Sequence, residues 1–402
     1  MEKIPEGALA GIRVLDIATF LAAPFCGTVM ADFGAEVLKV EMPKVGDPLR
    51  RFGTETACKD TFVWMSEARN KKSITLDLRQ PKGVELLRKL VAQSDVVIEN
   101  FRTGTLEKWG IGYEDLKRVN PKIIMLRITG YGQTGPYNTR PGFARIAHAF
   151  SGLANLAGEP GRIPVMPGST SLADYMSGVW GALGVLMALR SRDRTGVGQF
   201  IDIGLYESTF RMMDEMASVY AHSGFVRERM GPDTVNIVPH SHYETKDGRW
   251  VAIACSSDKM FTRLAHVMGD PDLAAPDRFE KMDDRLAERE KVNGIVSDWT
   301  RSYSADDIVS KCNEGGVPCS ILMSIKDIFE DPHYQERGNL VTVNDPRIGD
   351  VVVPVAVPRL SGTPGRINHL GPALGSSNDE IYRGLLGIDD ATYAELEKQG
   401  AI

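Results

Sequence analysis

Short apolar, β-branched runs alternate with helix-patterned stretches through the first third of the chain, and this alternation limits the fold more than any other feature. IRVLDIA (12–18), EVLKVE (36–41), KSITLDL (72–78), VVIEN (96–100) and KIIMLRITGYG (122–132) each read as a strand. Between them, APFCGTVMADFG (23–34) reads as a helix stopped by Gly34, and PKGVELLRKLVAQSD (81–95) as a helix opened by Pro81. A shorter helical pattern lies near LEKWG (106–110). Near-continuous apolar strands separated by helices call for a parallel sheet covered on both faces. Ligands of such sheets gather beyond the carboxyl ends of the strands. The expected fold is α/β, with a Rossmann-like parallel sheet in a large domain.

Helical patterns at 143–158 and 174–191 and a strand–helix pattern in GQFIDIGLYESTFRMM (198–213) continue this domain. From about residue 240 the texture changes. HYETKDGRWVAIAC (242–255) reads as a β-hairpin turning at Asp247–Gly248, and helices are expected at 257–268, 282–302 and 304–314. Proline-broken strands at 339–362 and a helix at 391–400 close the chain. The expected organisation is a large α/β domain over 1–215, a linker and smaller α+β domain over 216–330, and a return segment over 331–402 that completes the large domain.

The 402 residues, 43% hydrophobic and 25% charged, suffice for a large core and more than one domain. The net charge of −6 is interspersed, not gathered into a tail or basic face, so nucleic acid is not an expected partner. Cys26, Cys58, Cys255, Cys312 and Cys319 never form a CxxC pair, which suits reduced thiols in a cytoplasmic compartment. MEKIPEGALAGIRVLDIA carries acids and a proline where a leader needs basic and apolar stretches. No continuous apolar run reaches the roughly 20 residues that span a bilayer, so no membrane association is expected.

Several familiar chemistries lack their motifs. DIATFLAAP (16–24), the first strand-to-helix turn, has no GxGxxG, and neither GxSxG nor GxxxxGKS/T occurs. His240 and His242 share one strand face and could bind a metal, but hydrogen-bonded structural histidines explain them as well, and no metal site is expected. Asp174 stands at the start of a helix-patterned run. It or Ser171 can cap that helix. The following MSGVWGALGVLMALR carries Gly178, Gly181 and Gly184, each costing helix propensity, which implies close approach of another backbone or a flat ligand. A carboxylate at a helix N-terminus, held ionised by the dipole, can also act as a nucleophile.

LAGIRVLDIATFLAAPFCGTVMADFGAEVLKVE, NKKSITLDL, DVVIENFRTGTLEKWGIGYEDL, ITGYGQTGP and SLADYMSGVWGALGVLMAL follow one another as in the class III coenzyme A-transferases, the family of formyl-CoA:oxalate and carnitine CoA-transferases. The chain resembles that family over most of 9–210, and less closely beyond. The resemblance implies that Asp174 attacks an acyl-CoA thioester, forming an aspartyl anhydride and then an aspartyl-CoA thioester. It implies coenzyme A contacts at Leu21, Ala22, Asn70, Lys71, Lys72, Asn100, Phe101, Arg102 and Lys108, although surface solvation explains each lysine equally well. Coenzyme A enters as a substrate; no tightly bound cofactor is implied. Family members form interlocked ring-like dimers, and some pair with a homologous subunit.

Phe143 and Ala144 stand where related 2-methylacyl-CoA racemases carry His and Asp, which disfavours racemisation because that reaction needs an acid and a base on opposite faces of a carbon. The same change leaves Arg145 nearby. It is expected either to hold a second carboxylate of the acyl group or to be a surface arginine. Succinyl-CoA is the expected donor, and malate, glutarate, citramalate or a substituted succinate the acceptor. The alternatives are a racemase or intramolecular transferase of the same family, a nicotinamide-dependent oxidoreductase, and a silent CoA-binding subunit.

Overall fold

The structure, a computed structural model, describes residues 7–166, 168 and 170–402. The first six residues, part of the stretch compared with a leader, lie outside this set. Two compact units emerge. One comprises the chain up to Leu153, Pro167–Ser218 and Arg337–Ile402; the other comprises Ala154–Met166 and Val219–Glu336. The sequence reading set its boundaries at 215/216 and 330/331 and assigned 154–166 to the large domain, whereas these residues cluster with the smaller unit.

The large unit is built on β1 (Arg13–Asp16), β2 (Glu36–Glu41), β3 (Lys71–Thr75), β4 (Val96–Glu99), β5 (Ile124–Thr129) and β6 (Phe200–Gly204). They form one parallel sheet in the order β3-β2-β1-β4-β5-β6. Chain direction across the sheet reverses between β1 and β4, which leaves a crevice beyond their carboxyl ends. Successive strand residues point to opposite faces. Leu15, Leu38, Ile74, Val97 and Met125 pack on one face with Leu86, Leu87 and Leu90 of the Pro81–Val91 helix, and with Ile381, Tyr382 and Leu396 from the end of the chain. Val14, Val37, Val96, Ile98 and Leu126 pack on the other, under the Ala22–Asp32 and Leu172–Thr195 helices. The return segment is therefore part of the core: Asp77 N–H donates to Ala401 O, and the Tyr382 hydroxyl donates to Thr75 O at 2.7 Å.

The Leu172–Thr195 helix corrects one expectation. By length and composition it is apolar enough to cross a membrane, with a mean hydropathy of 1.4 over its most apolar window. The small, weakly polar residues inside it had hidden this. Its buried face packs on the core helix Ala22–Asp32 and on β5 and β6. A Cβ on Gly178 would lie 2.8 Å from Ala22 O, and one on Gly181 would lie 2.7 Å from Leu126 Cδ2. Gly178 thus serves close backbone packing, one of the two uses the spacing left open, whereas Gly181 makes room for a side chain of β5.

The smaller unit carries an antiparallel sheet of β7 (His240–Glu244), β8 (Trp250–Ala254) and β9 (Cys319–Ile321), in that order. Val251, Ile253, Leu264, Val296, Ile308 and Cys312 form its core. The hairpin turn at Asp247–Gly248 matches expectation, with Gly248 at φ 73°. β9 was not foreseen, because three half-exposed residues carry too little periodicity to announce a strand. His242 is exposed on β7, and the buried Nδ1 of His240 has no hydrogen-bond partner among the described residues. No group of three or more His, Cys, Asp or Glu side chains among the described residues could hold a metal ion.

Candidate active site

The crevice beyond β1 and β4 is closed by side chains that hold the two loops together. Asn100 follows β4. Its Oδ1 accepts the Thr19 N–H at 2.8 Å, and its Nδ2 donates to Thr19 O at 2.6 Å. The next residue, Phe20, adopts φ 60°, an uncommon conformation for a bulky residue. Its N–H donates to Asp47 Oδ1 at 3.0 Å, and Asp47 is itself fixed by Lys39 at 2.8 Å. The Phe20 ring stands edge-on to Phe52 and Phe143, with centroids 6.2 and 6.1 Å away. Below Phe101, the fully buried Glu99 accepts the Phe101 N–H at 2.7 Å and Arg127 Nε at 2.7 Å. Burial pushes the Glu99 carboxyl up to about 7, against the opposing pull of Arg127.

Asp174 lies in the first turn of the Leu172–Thr195 helix. Its own N–H donates to Ser171 O at 2.9 Å, and the preceding Ala173 N–H donates to His148 Nε2 at 2.9 Å. Ser171 makes no side-chain cap, so neither candidate from the sequence caps this helix. Among the described residues, no hydrogen bond or ion pair reaches the Asp174 carboxylate. Burial pushes it up to about 7. The carboxyl was expected to be held ionised by the helix end; desolvation outweighs the dipole because no N–H group of the described residues donates to it.

Asp174 lines a cleft of about 830 Å³ together with Leu21, Ala22, Asn100, Phe101 and Arg102. Gly130 and Gly142 form part of its wall, where a Cβ on either would lie under 3 Å from the other's Cα. Arg140 also lines the cleft, its guanidinium stacked 3.6 Å over the Tyr137 ring. A second cavity of about 730 Å³ shares Thr19 and Phe101 with the first and is lined by Met42, Arg51, Leu76, Leu78, Arg79 and Trp109. Arginines and flat apolar walls in two adjoining cavities suit a long, anionic ligand that carries an aromatic ring.

Other expected residues lie elsewhere. Asn70, Lys71 and Lys72 stand at the amino end of β3, whereas the crevice lies beyond the carboxyl ends. Lys71 is buried and donates to Asp16 Oδ2 at 2.9 Å and Pro24 O at 2.6 Å. Lys72 pairs with Glu36 and Glu380, and Asn70 bonds Asp32 and Arg366 O. Lys108 is exposed and lines neither cavity, unlike its neighbour Trp109. Arg145 is exposed and does not line the cleft, because its helix Ala144–Phe150 turns Ala144, Ala147 and His148 inward instead. Leu76, Leu78 and Arg79 were missed although a signal existed: they directly follow β3, where strand direction points to the crevice. Nothing in the local sequence distinguished Arg51 or Arg140.

The Asp174 shift has a sign that stability can read. An unfolded Asp loses its proton near pH ~3.9; the folded one keeps it to about 7. Between those values the native state binds more protons, so stability falls as pH rises through this window. Asp174→Asn should therefore stabilise the fold at pH 8 by about 1–3 kcal/mol and have little effect near pH 4, measured by urea unfolding at both pH values. Equal midpoints at pH 8 would contradict the desolvated carboxylate.

Comparison with known proteins agrees with this geometry. A model of CoA-transferase family III matches residues 9–378. All 402 residues align at 53% identity with 93% of the succinyl-CoA–L-malate CoA-transferase alpha subunit of Chloroflexus aurantiacus. A beta subunit of succinyl-CoA–L-malate CoA-transferase from the same species is 51% identical over 98% of this chain and 98% of its own. Among solved structures, a CaiB/BaiF family protein from Brucella suis has a TM-score of 0.84 and 34% identity, covering 95% of this chain and 100% of that one. Since the family match runs from the loop before β1 to Asn378 and takes in the whole Asp174 cleft, the chain belongs to CoA-transferase family III.

Proposed function

We propose that the protein moves coenzyme A from succinyl-CoA to a dicarboxylic acid, L-malate ahead of glutarate, citramalate or a substituted succinate, with Asp174 as the covalent acceptor. One observation carries the mechanism: a buried carboxylate that receives no hydrogen bond from the described residues, at the edge of a cleft lined by arginines. Poor solvation leaves such a carboxylate basic and nucleophilic. Asp174 attacks the thioester carbonyl and expels the CoA thiolate, giving a succinyl–aspartyl anhydride. The thiolate then attacks the aspartyl carbonyl, releasing succinate and leaving an aspartyl-CoA thioester. The acceptor carboxylate attacks that thioester, forms a second anhydride and frees the thiolate. Attack of the thiolate on the acceptor's acyl carbonyl yields the new acyl-CoA and returns the Asp174 carboxylate.

Leu21, Ala22, Asn100, Phe101 and Arg102 are the proposed contacts to the pantetheine arm, and Arg51 and Arg79 those to the phosphates, since they line the two adjoining cavities. Arg140 replaces Arg145 as the proposed partner of the second carboxylate. The five free thiols suit a reducing, cytoplasmic compartment. Val179, Leu183, Leu186 and Met187 leave an exposed apolar stripe, 39–61% accessible, on the Leu172–Thr195 helix. We assign it to a second copy or a homologous subunit, as in the interlocked assembly that the family resemblance implies.

Incubation with succinyl-CoA followed by mass spectrometry should give an acyl or CoA adduct on the Asp174 peptide. Asp174→Ala should remove both the adduct and CoA exchange with L-malate; activity surviving that substitution would refute the mechanism. Arg140→Ala should raise the acceptor KM about tenfold or more while Arg145→Ala leaves it unchanged, and the reverse result would restore Arg145. For the assembly, Met187→Asp should shift the mass measured by light scattering from dimer to monomer. A wild type that is already monomeric would discard the proposed stripe.

A further inference from the structure

The first turn of the Asp174 helix is capped from another helix. Ser171 contributes no side-chain bond, and the Ala173 N–H is taken by Nε2 of His148, from Ala144–Phe150, at 2.9 Å. Both residues are fully buried. A ring nitrogen that accepts an N–H carries no proton, so the imidazole is neutral and its proton sits on Nδ1. Burial, reinforced by Arg145, lowers its pKa and favours this form. The next two donors are also engaged: the N–H groups of Asp174 and Tyr175 both reach Ser171 O, at 2.9 and 3.2 Å. An acidic side chain in a first helical turn ordinarily finds such donors, and binding them stabilises its ionised form. Here they are occupied.

We propose that His148 is a positioning residue for transfer: by holding the Ala173 N–H it fixes the Asp174 turn and withholds a backbone donor that would otherwise quench the carboxylate. This rests on the reading of Asp174 as nucleophile. The other titratable or charged groups near the turn are Tyr175, whose hydroxyl bonds Glu67, Arg145 beside His148, and Arg102 and Arg140 on the cleft wall. None of them bonds the Asp174 carboxylate.

The test compares His148→Leu, which removes the acceptor, with His148→Gln, whose Oε1 can take the same N–H. His148→Asn, too short to reach it, replaces Leu if that variant does not fold. His148→Leu should lower kcat roughly tenfold to a hundredfold with KM for succinyl-CoA within about twofold. The acid limb of its kcat–pH profile should move down by about one pH unit, as the released N–H stabilises the carboxylate. His148→Gln should restore both, and the Ala173 amide should exchange slowly in wild type and Gln but rapidly in Leu. Equal losses in Leu and Gln with an unmoved acid limb would reduce His148 to a folding role and overturn the proposal. So would unchanged kcat in Leu alongside a normal wild-type adduct. A wild type with no Asp174 adduct would instead overturn the nucleophile reading on which the proposal rests.

Discussion

A buried cluster of four ionisable side chains, joining the end of β1 to Lys39 of β2, Lys71 at the start of β3 and Asp47 beyond β2, sets the geometry on which the cleft depends. Asp16 ends β1, with Lys71 Nζ at 2.9 Å and Lys39 Nζ at 3.6 Å, and Lys39 continues to Asp47 at 2.8 Å. All four are nearly inaccessible. Burial lowers the Lys71 pKa against the pull of Asp16; removing one member of such a buried group typically costs about 3–5 kcal/mol, because its partner is left unpaired in the interior. Through Asp47 the cluster holds the Phe20 turn, and Asn100 ties that turn to the end of β4. Buried polar contacts thereby tie together the loops that bound the crevice at the switch point.

Two carboxyls near this crevice are pushed to about 7, yet they are suited to different tasks. Glu99 accepts Arg127 Nε and the Phe101 N–H, and its neighbour Arg127 continues to Glu107 at 2.8 Å. Its lone pairs are committed, and it fixes the loop that carries Phe101 and Arg102. Asp174 is raised by desolvation alone. Burial with partners yields a support, and burial without them yields a reactive group, even where the two titrate alike.

Much of this was legible in the chain. The alternation of strand and helix patterns reports burial, and burial follows local periodicity, so the five N-terminal strands and their helices emerged within a few residues. Asp174 stood out by its place at a helix start, and Asn100, Phe101, Arg102, Leu21 and Ala22 through the family resemblance; they line one cleft because each adjoins the end of a strand or the start of a helix at one edge of a parallel sheet. Asn70, Lys71 and Lys72, which the resemblance offered as coenzyme A contacts, stand apart from the cleft for the same reason reversed: they enter β3 rather than leave it. Arg145 takes the second of its two expected places, the surface, through helix phase, since the inward side of Ala144–Phe150 belongs to Ala144, Ala147 and His148.

By itself the sequence determined the layered α/β architecture and the family, because periodicity and the order of local motifs encode them. Only the tertiary structure decided which charges are structural, which glycines meet a backbone, that Arg140 rather than Arg145 lines the cleft, and that His148 caps the Asp174 turn. Those outcomes depend on distances between segments far apart in the chain. His148 and Ala173 are 25 residues apart, and Lys71 and Asp16 are 55 apart. Such contacts form when the sheet and its covering helices pack, and no local pattern records which partner a buried polar group will find.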